Sequence, residues 1–124
     1  MKDYKELIVW QKAHLLTLAA YRASSQFQRE ELYGLTSQIR RCSASIPANI
    51  AEGCGRRGNA EFHRFLQIAS GSASELDYHF LLSRDLGFLS EENYWQISRQ
   101  LSEVRKILTS LLRKVDSDRA RAKC

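Results

Sequence analysis

Apolar residues recur along this chain in steps of three and four rather than in alternation, a spacing that predicts helices throughout. The first helix, Leu7 to Ser25, aligns Val9, Ala13, Leu16 and Ala20, is widened by Leu15, Leu18 and Ala19, and carries Trp10 and Tyr21. So broad an apolar surface predicts contact on more than one side, inside a bundle or against another subunit. After the connection Gln26 to Tyr33, Gly34 opens a second helix that reaches about Arg57, with Leu35, Ile39, Cys42, Ile46, Ile50 and Gly53 as its core face. Asn59 is the expected cap of the third, Ala60 to about Leu86, which turns Phe62, Phe65, Leu66, Ala69, Ala73, Leu76 and Phe80 inward. Gly87 ends it in a left-handed cap, and Ser90 caps the fourth helix, with Leu89 and Tyr94 at the spacing of a hydrophobic staple. Ile97, Leu101, Val104, Leu108, Leu111 and Val115 give that fourth helix the regular steps of bundle packing from Glu91 to about Val115. The expectation is one all-α domain over residues 1–115, followed by a polar, frayed tail at 116–124.

The second helix carries a further stripe about a quarter-turn from its core face, Gln38, Arg41, Ser45, Asn49, Glu52 and Arg56, and every member is polar. That mixture of cations, amides, a hydroxyl and an acid points to a surface that contacts something. Pro47 lies inside the same helix, where its ring removes the hydrogen bond to the Ser43 carbonyl, a loss of about 3 kcal/mol if nothing compensates. Two readings of it stand: a bend that fits the bundle, or a kink that aims Arg40, Arg41 and Asn49 outward. Gly71, in the small-residue patch Ala69 to Ser74, predicts a close helix approach. Gly53, Gly55 and Gly58 with Arg56 and Arg57 form a basic corner, and because these glycines end a helix rather than follow a strand they are not a phosphate-binding loop.

Charge sharpens the picture more than composition does. The 124 residues carry a net charge of +5. From Arg99 onward there are eight Lys or Arg against three Asp or Glu, an excess equal to the net charge of the whole chain. Leu32 to Arg64 holds five Arg against two Glu. These blocks admit nucleic acid as a partner through phosphate contacts, with Arg40, Arg41, Arg56 and Arg57 and, on the fourth helix, Arg105, Lys106 and Arg113 as the candidate contacts. With no helix-turn-helix, RNP motif or zinc finger visible, binding is expected to be directed at the backbone and salt-sensitive.

Signals for chemistry are few. His14, His63 and His79 have no ligand spacing, and His63 and His79 fall on opposite faces of the third helix. Cys42, Cys54 and Cys124 form no CxxC, and the first two are about 18 Å apart along one helix, so reduced thiols are expected and no metal or cofactor is assigned. Glu52 and Glu75 can be drawn as an acid pair across the second and third helices, but with Arg40, Arg41 and Arg64 nearby salt bridges are the preferred reading, and no enzyme is expected. No apolar run approaches the roughly 18 residues of a membrane span, and the charged start Met1 to Glu6 carries no signal-peptide pattern, so a cytoplasmic location is expected.

Four blocks carry a resemblance: Leu7 to Ala13 (LIVWQKA), Tyr33 to Arg41 (YGLTSQIRR), Ser45 to Gly53 (SIPANIAEG), and Phe65 to Ser72 (FLQIASGS) with Glu75 and Leu76. They closely resemble the bacterial family called 23S rRNA intervening-sequence proteins, over nearly the whole chain, and the RR-x3-SIP-x-NIAEG block is the most specific part. Gln28, where the family usually has Pro, is a departure confined to a loop. The resemblance implies an antiparallel up-down four-helix bundle assembled as a homopentamer. It also implies distant kinship to the accessory protein of diversity-generating retroelements, a basic pentamer that binds nucleic acid and a reverse transcriptase. The function expected is therefore a non-catalytic accessory protein on RNA or DNA; the alternative is a scaffold for a protein partner, such as a reverse transcriptase or a ribonucleoprotein, without nucleic-acid contact. A wide first helix and a pentamer also admit Asn49, Glu52, Glu75, Pro47 and Gly71 as structural or subunit contacts, with Arg41 as a possible internal link and Arg40 and the Arg56–Arg57 corner facing outward.

Overall fold

The computed structural model describes residues 3–123, and every regular element among them is helical. Helix α1 spans Ile8–Ser24, α2 Leu35–Cys54, α3 Gly58–Asp85 and α4 Glu91–Lys123, with 3-10 turns at Tyr4–Glu6 and Arg29–Glu31. Packing neighbours are α1 with α2, α2 with α3, α3 with α4 and α4 with α1, so the four close a ring with α1/α3 and α2/α4 as its diagonals. The linkers Gly55–Arg57 and Leu86–Ser90 are too short for anything but a reversal of direction between packed helices, the connectivity of an up-down bundle. No helix among the described residues is long and apolar enough to cross a membrane.

The core is the one the periodicity predicts. Val9, Ala13, Leu16 and Ala20 of α1 join Ile39, Ile46 and Ile50 of α2, Leu66, Ala69, Ala73, Leu76 and Phe80 of α3, and Leu101, Val104 and Leu108 of α4 in a single buried cluster. Leu89 and Tyr94 are buried at the start of α4, where Ser90 Oγ accepts from the Asn93 amide at 3.1 Å. Gly87 adopts φ +82°, a left-handed conformation that favours glycine, while the amides of Phe88 and Gly87 donate to the carbonyls of Ser83 and Arg84 to close α3. Phe88 then stands 5.8 Å from the Phe27 ring and joins the α1–α2 connection to the α3–α4 turn.

Pro47 is buried, and α2 passes through it unbroken. The carbonyl it deprives of a partner, on Ser43, is met from across the α1–α2 interface: Thr17 Oγ1 lies 2.9 Å from Ser43 O and 2.9 Å from Ala13 O. The single hydroxyl proton is shared between a carbonyl of each helix, and Pro47 fits the bundle. Of the three residues an outward kink would aim at solvent, Arg40 turns onto α1 and Asn49 bonds within α2, and only Arg41 is exposed.

Four further expectations are corrected. Helix α2 ends at Cys54 rather than near Arg57, and α3 starts at Gly58, whose φ of +81° turns the chain one residue before Asn59; Asn59 sits in the first turn and is not the cap. The segment after Val115 is not frayed, since α4 runs on to Lys123, held by His63 Nε2 at 2.8 Å from Asp116 Oδ1 and by Arg121 donating to Asp118 at 2.7 Å. Gly71 is exposed, and a methyl group there would meet nothing within 4 Å, so it permits no close approach inside this chain. The close approach is instead at Gly53, where a Cβ would stand 3.0 Å from both Phe62 Cδ1 and Phe65 Cβ. Cys124 lies outside the described residues.

Candidate nucleic-acid interface

The core stripe of α4 leaves a second stripe beside it, Trp95, Arg99, Ser102, Lys106, Thr109 and Arg113, again in steps of four and three. These residues, with Arg105, Ser98 and Asp77 of α3, line an open groove of about 710 Å³. Arg105 is held at its edge, with Nη1 3.4 Å from Asp77 Oδ2 and Nη2 donating to Ser74 Oγ at 3.3 Å. Arg99, Lys106 and Arg113 make no ion pair among the described residues. Trp95 is 55% exposed at the end of the groove, its indole N–H donating to Glu91 at 3.1 Å. Arg105, Lys106 and Arg113 were expected from charge; Trp95 and Arg99 join them only because the helical steps place them on the same face.

The remaining predicted contacts lie elsewhere. Arg40 is half-buried: its Nε donates to Ser24 Oγ at 2.9 Å, its Nη2 approaches the Tyr21 carbonyl at 3.4 Å, and its guanidinium stacks 4.9 Å from the Tyr21 ring. A cation placed there meets the negative end of α1. Arg41 is exposed and donates to Gln38 Oε1 at 2.8 Å. At the α2–α3 corner Arg56 donates to Glu52 at 3.0 Å, and Arg56 and Arg64 lie 5.3 and 4.5 Å from the Phe65 ring, while Arg57 is exposed with no ion pair among the described residues. Since α2 and α4 are diagonal in the bundle, Arg40 and Arg41 do not share a surface with Arg105, Lys106 and Arg113 within one chain.

The polar stripe of α2 is largely stitched to itself. Asn49 donates to Ser45 O and Oγ at 2.8 and 2.9 Å, and Ser45 Oγ reaches Ser72 Oγ of α3 at 2.9 Å. Glu52 pairs with Arg56, so it forms no acid pair with Glu75. Glu75 has other partners: Cys42 Sγ donates to its Oε2 at 2.6 Å, and His79 Nε2 lies 3.5 Å from the same oxygen. Burial, then the bond and charge of Glu75, push the Cys42 thiol up to about 12, which disfavours the free thiolate. The thiol's hydrogen bond is the main reason the Glu75 carboxyl is held below the usual range, with His79 and the Arg41 charge adding to it.

Comparison with known proteins agrees with the architecture. Residues 5–110 match the family model described as 23S rRNA-intervening sequence protein. A crystal structure of a protein of unknown function from the S23 ribosomal protein family of Bacteroides thetaiotaomicron is similar to this chain with a TM-score of 0.77 at 26% identity, over 85% of this chain and 98% of that one. No curated protein matches the chain.

Proposed function

Because this chain belongs to the 23S rRNA-intervening sequence protein family, we propose that it is a non-catalytic, oligomeric accessory protein that holds the backbone of RNA or DNA along α4. The observation that carries this reading is the groove in which Arg99, Lys106 and Arg113 stand without ion-pair partners among the described residues, beside an exposed Trp95. Cations free of internal partners neutralise phosphates and release counterions, and an indole face offers a stacking platform for an unpaired base. In a homopentamer five such grooves would act together, and Arg41 and Arg57, which do not line the groove, would add charge around the assembly.

Fluorescence anisotropy with a labelled single-stranded RNA across a salt series tests this. Binding should be tightest at low salt, vary little with sequence, and fall at least tenfold when Arg99, Lys106 and Arg113 are all changed to Gln. No binding at low salt, or full affinity in the triple variant, overturns it.

A second reading, a scaffold for a protein partner such as a reverse transcriptase or a ribonucleoprotein, is favoured by α1. Ile8 and Leu15 are 57% and 55% exposed on one face, and Leu18 lies at its edge. Light scattering and circular dichroism of a Leu15→Glu, Leu18→Glu variant separate the two roles of this face. Dissociation with helicity intact makes it the subunit contact of the oligomer, whereas an unchanged assembly leaves it open for another protein.

A further inference from the structure

Where α2 meets α3, Cys42, Glu75 and His79 bring a sulfur, a carboxylate oxygen and a ring nitrogen within 4.8 Å of one another, the only such group among the described residues. Glu75 and His79 are one helical turn apart and project from the same side of α3, while Cys42 reaches them from α2. Sulfur, imidazole and carboxylate together make a donor set for zinc-like ions and a poor one for calcium or magnesium, which take oxygen alone. We propose that this cluster binds a divalent transition-metal ion of the zinc class through Cys42 Sγ, Glu75 Oε2 and His79, joining α2 to α3 and leaving a fourth position to water. The proposal is independent of nucleic-acid binding on α4.

Nδ1 of His79 is buried without a hydrogen-bond partner and Nε2 has only the long contact to Glu75, a condition buried polar groups rarely keep and one that coordination relieves at the nitrogen it takes. The spacing is close to what an ion needs. Bonds of about 2.0–2.1 Å at a tetrahedral centre place nitrogen and oxygen ligands about 3.3 Å apart, and His79 Nε2 already lies 3.5 Å from Glu75 Oε2. Cys42 Sγ, at 2.6 Å from the same oxygen, is held closer because a proton lies between them. An ion takes the place of that proton, which leaves to solvent, and the two ligands move apart by roughly 1 Å. Glu75 has the freedom for this, since its side chain is 56% exposed against 15% for His79, and the exposed side is also the way in from solvent. Arg41 opposes the ion: its positive charge is felt by both Cys42 and Glu75.

The test is titration of the reduced, metal-stripped full chain with Co2+ as a spectroscopic probe and Zn2+ as competitor. One Co2+ per chain is expected, with a thiolate-to-metal charge-transfer band that Zn2+ abolishes and that persists when Cys54 and Cys124 are both changed to Ser. Cys42→Ser should remove the band, Glu75→Gln and His79→Gln should each weaken binding by about tenfold or more, and Arg41→Ala should tighten it. Circular dichroism checks each fold, and the exposed Glu75→Gln decides the matter if Cys42→Ser fails to fold. No Co2+ uptake by the unmodified chain, a band that survives Cys42→Ser, or unchanged affinity in Glu75→Gln overturns the proposal.

Discussion

The stripe on α2 and the stripe on α4 are written in similar residues, yet their polar groups end in different places. On α2, Arg40 meets Ser24 and the end of α1, Arg41 meets Gln38, Asn49 meets Ser45, and Arg56 meets Glu52. On α4, Arg99, Lys106 and Arg113 make no ion pair among the described residues and face an open groove. The difference comes from the residues of each stripe. On α2, Gln38, Ser45 and Glu52 stand one turn from Arg41, Asn49 and Arg56 and accept from them, whereas the stripe on α4 holds no acid or amide and borders solvent. A count of cations therefore overstates the charge available to a ligand on α2, and on α4 it holds for Arg99, Lys106 and Arg113 but not for Arg105 and Arg121, which pair with Asp77 and Asp118.

Substitutions can break that contrast. The largest effect is expected from Gly53→Val, which forces a side chain against Phe62 and Phe65 and should lower stability by about 1–3 kcal/mol in urea unfolding. Thr17→Val comes next: it leaves the Ser43 carbonyl beside Pro47 without its donor and should lose roughly 1–2 kcal/mol, confirming that polar groups at the α1–α2 seam are structural. Gly71→Ala should raise helix stability by about 1 kcal/mol, since nothing in the chain opposes the methyl group; if light scattering instead shows a weakened oligomer, the outer face of α3 is a subunit contact. The smallest change in stability, and the sharpest comparison, is Lys106→Gln set beside Arg40→Gln. The first should leave stability within about 0.5 kcal/mol while lowering the slope of log affinity against log salt by about 1. The second should leave the slope nearly intact and loosen the junction of α1 and α2.

Much of the fold was legible because one physical signal, burial of one helix face, repeats without interruption over four segments. Ile39, Ile46, Leu66, Leu76, Leu101 and Leu108 are all buried where the steps of three and four place them. Helix ends were read less well. Asn59 had the right side chain for a cap, but the chain reverses at Gly58, and only a glycine's positive φ marks that position. The end of α4 misled for a related reason: local polarity after Val115 gives no hint of His63, more than fifty residues earlier, meeting Asp116. Gly71 looked like a packing glycine because it stands among small residues, yet a shift of two positions along a helix turns a side chain to the far face.

The candidate sites divide along the same line. Arg105, Lys106 and Arg113 could be picked from the sequence because the excess of Lys and Arg after Arg99 is plain in the residue order, and Lys106 and Arg113, seven apart, share one face of a helix whatever surrounds it. The four-helix, all-α architecture follows from periodicity in the same local way. Partnership across helices does not. Thr17 with Ser43, Arg40 with Ser24, and Cys42 with Glu75 join positions 16 to 33 residues apart. Their meeting depends on the rotation and offset of one helix against its neighbour, which close packing of the assembled core sets and no short window of residues encodes.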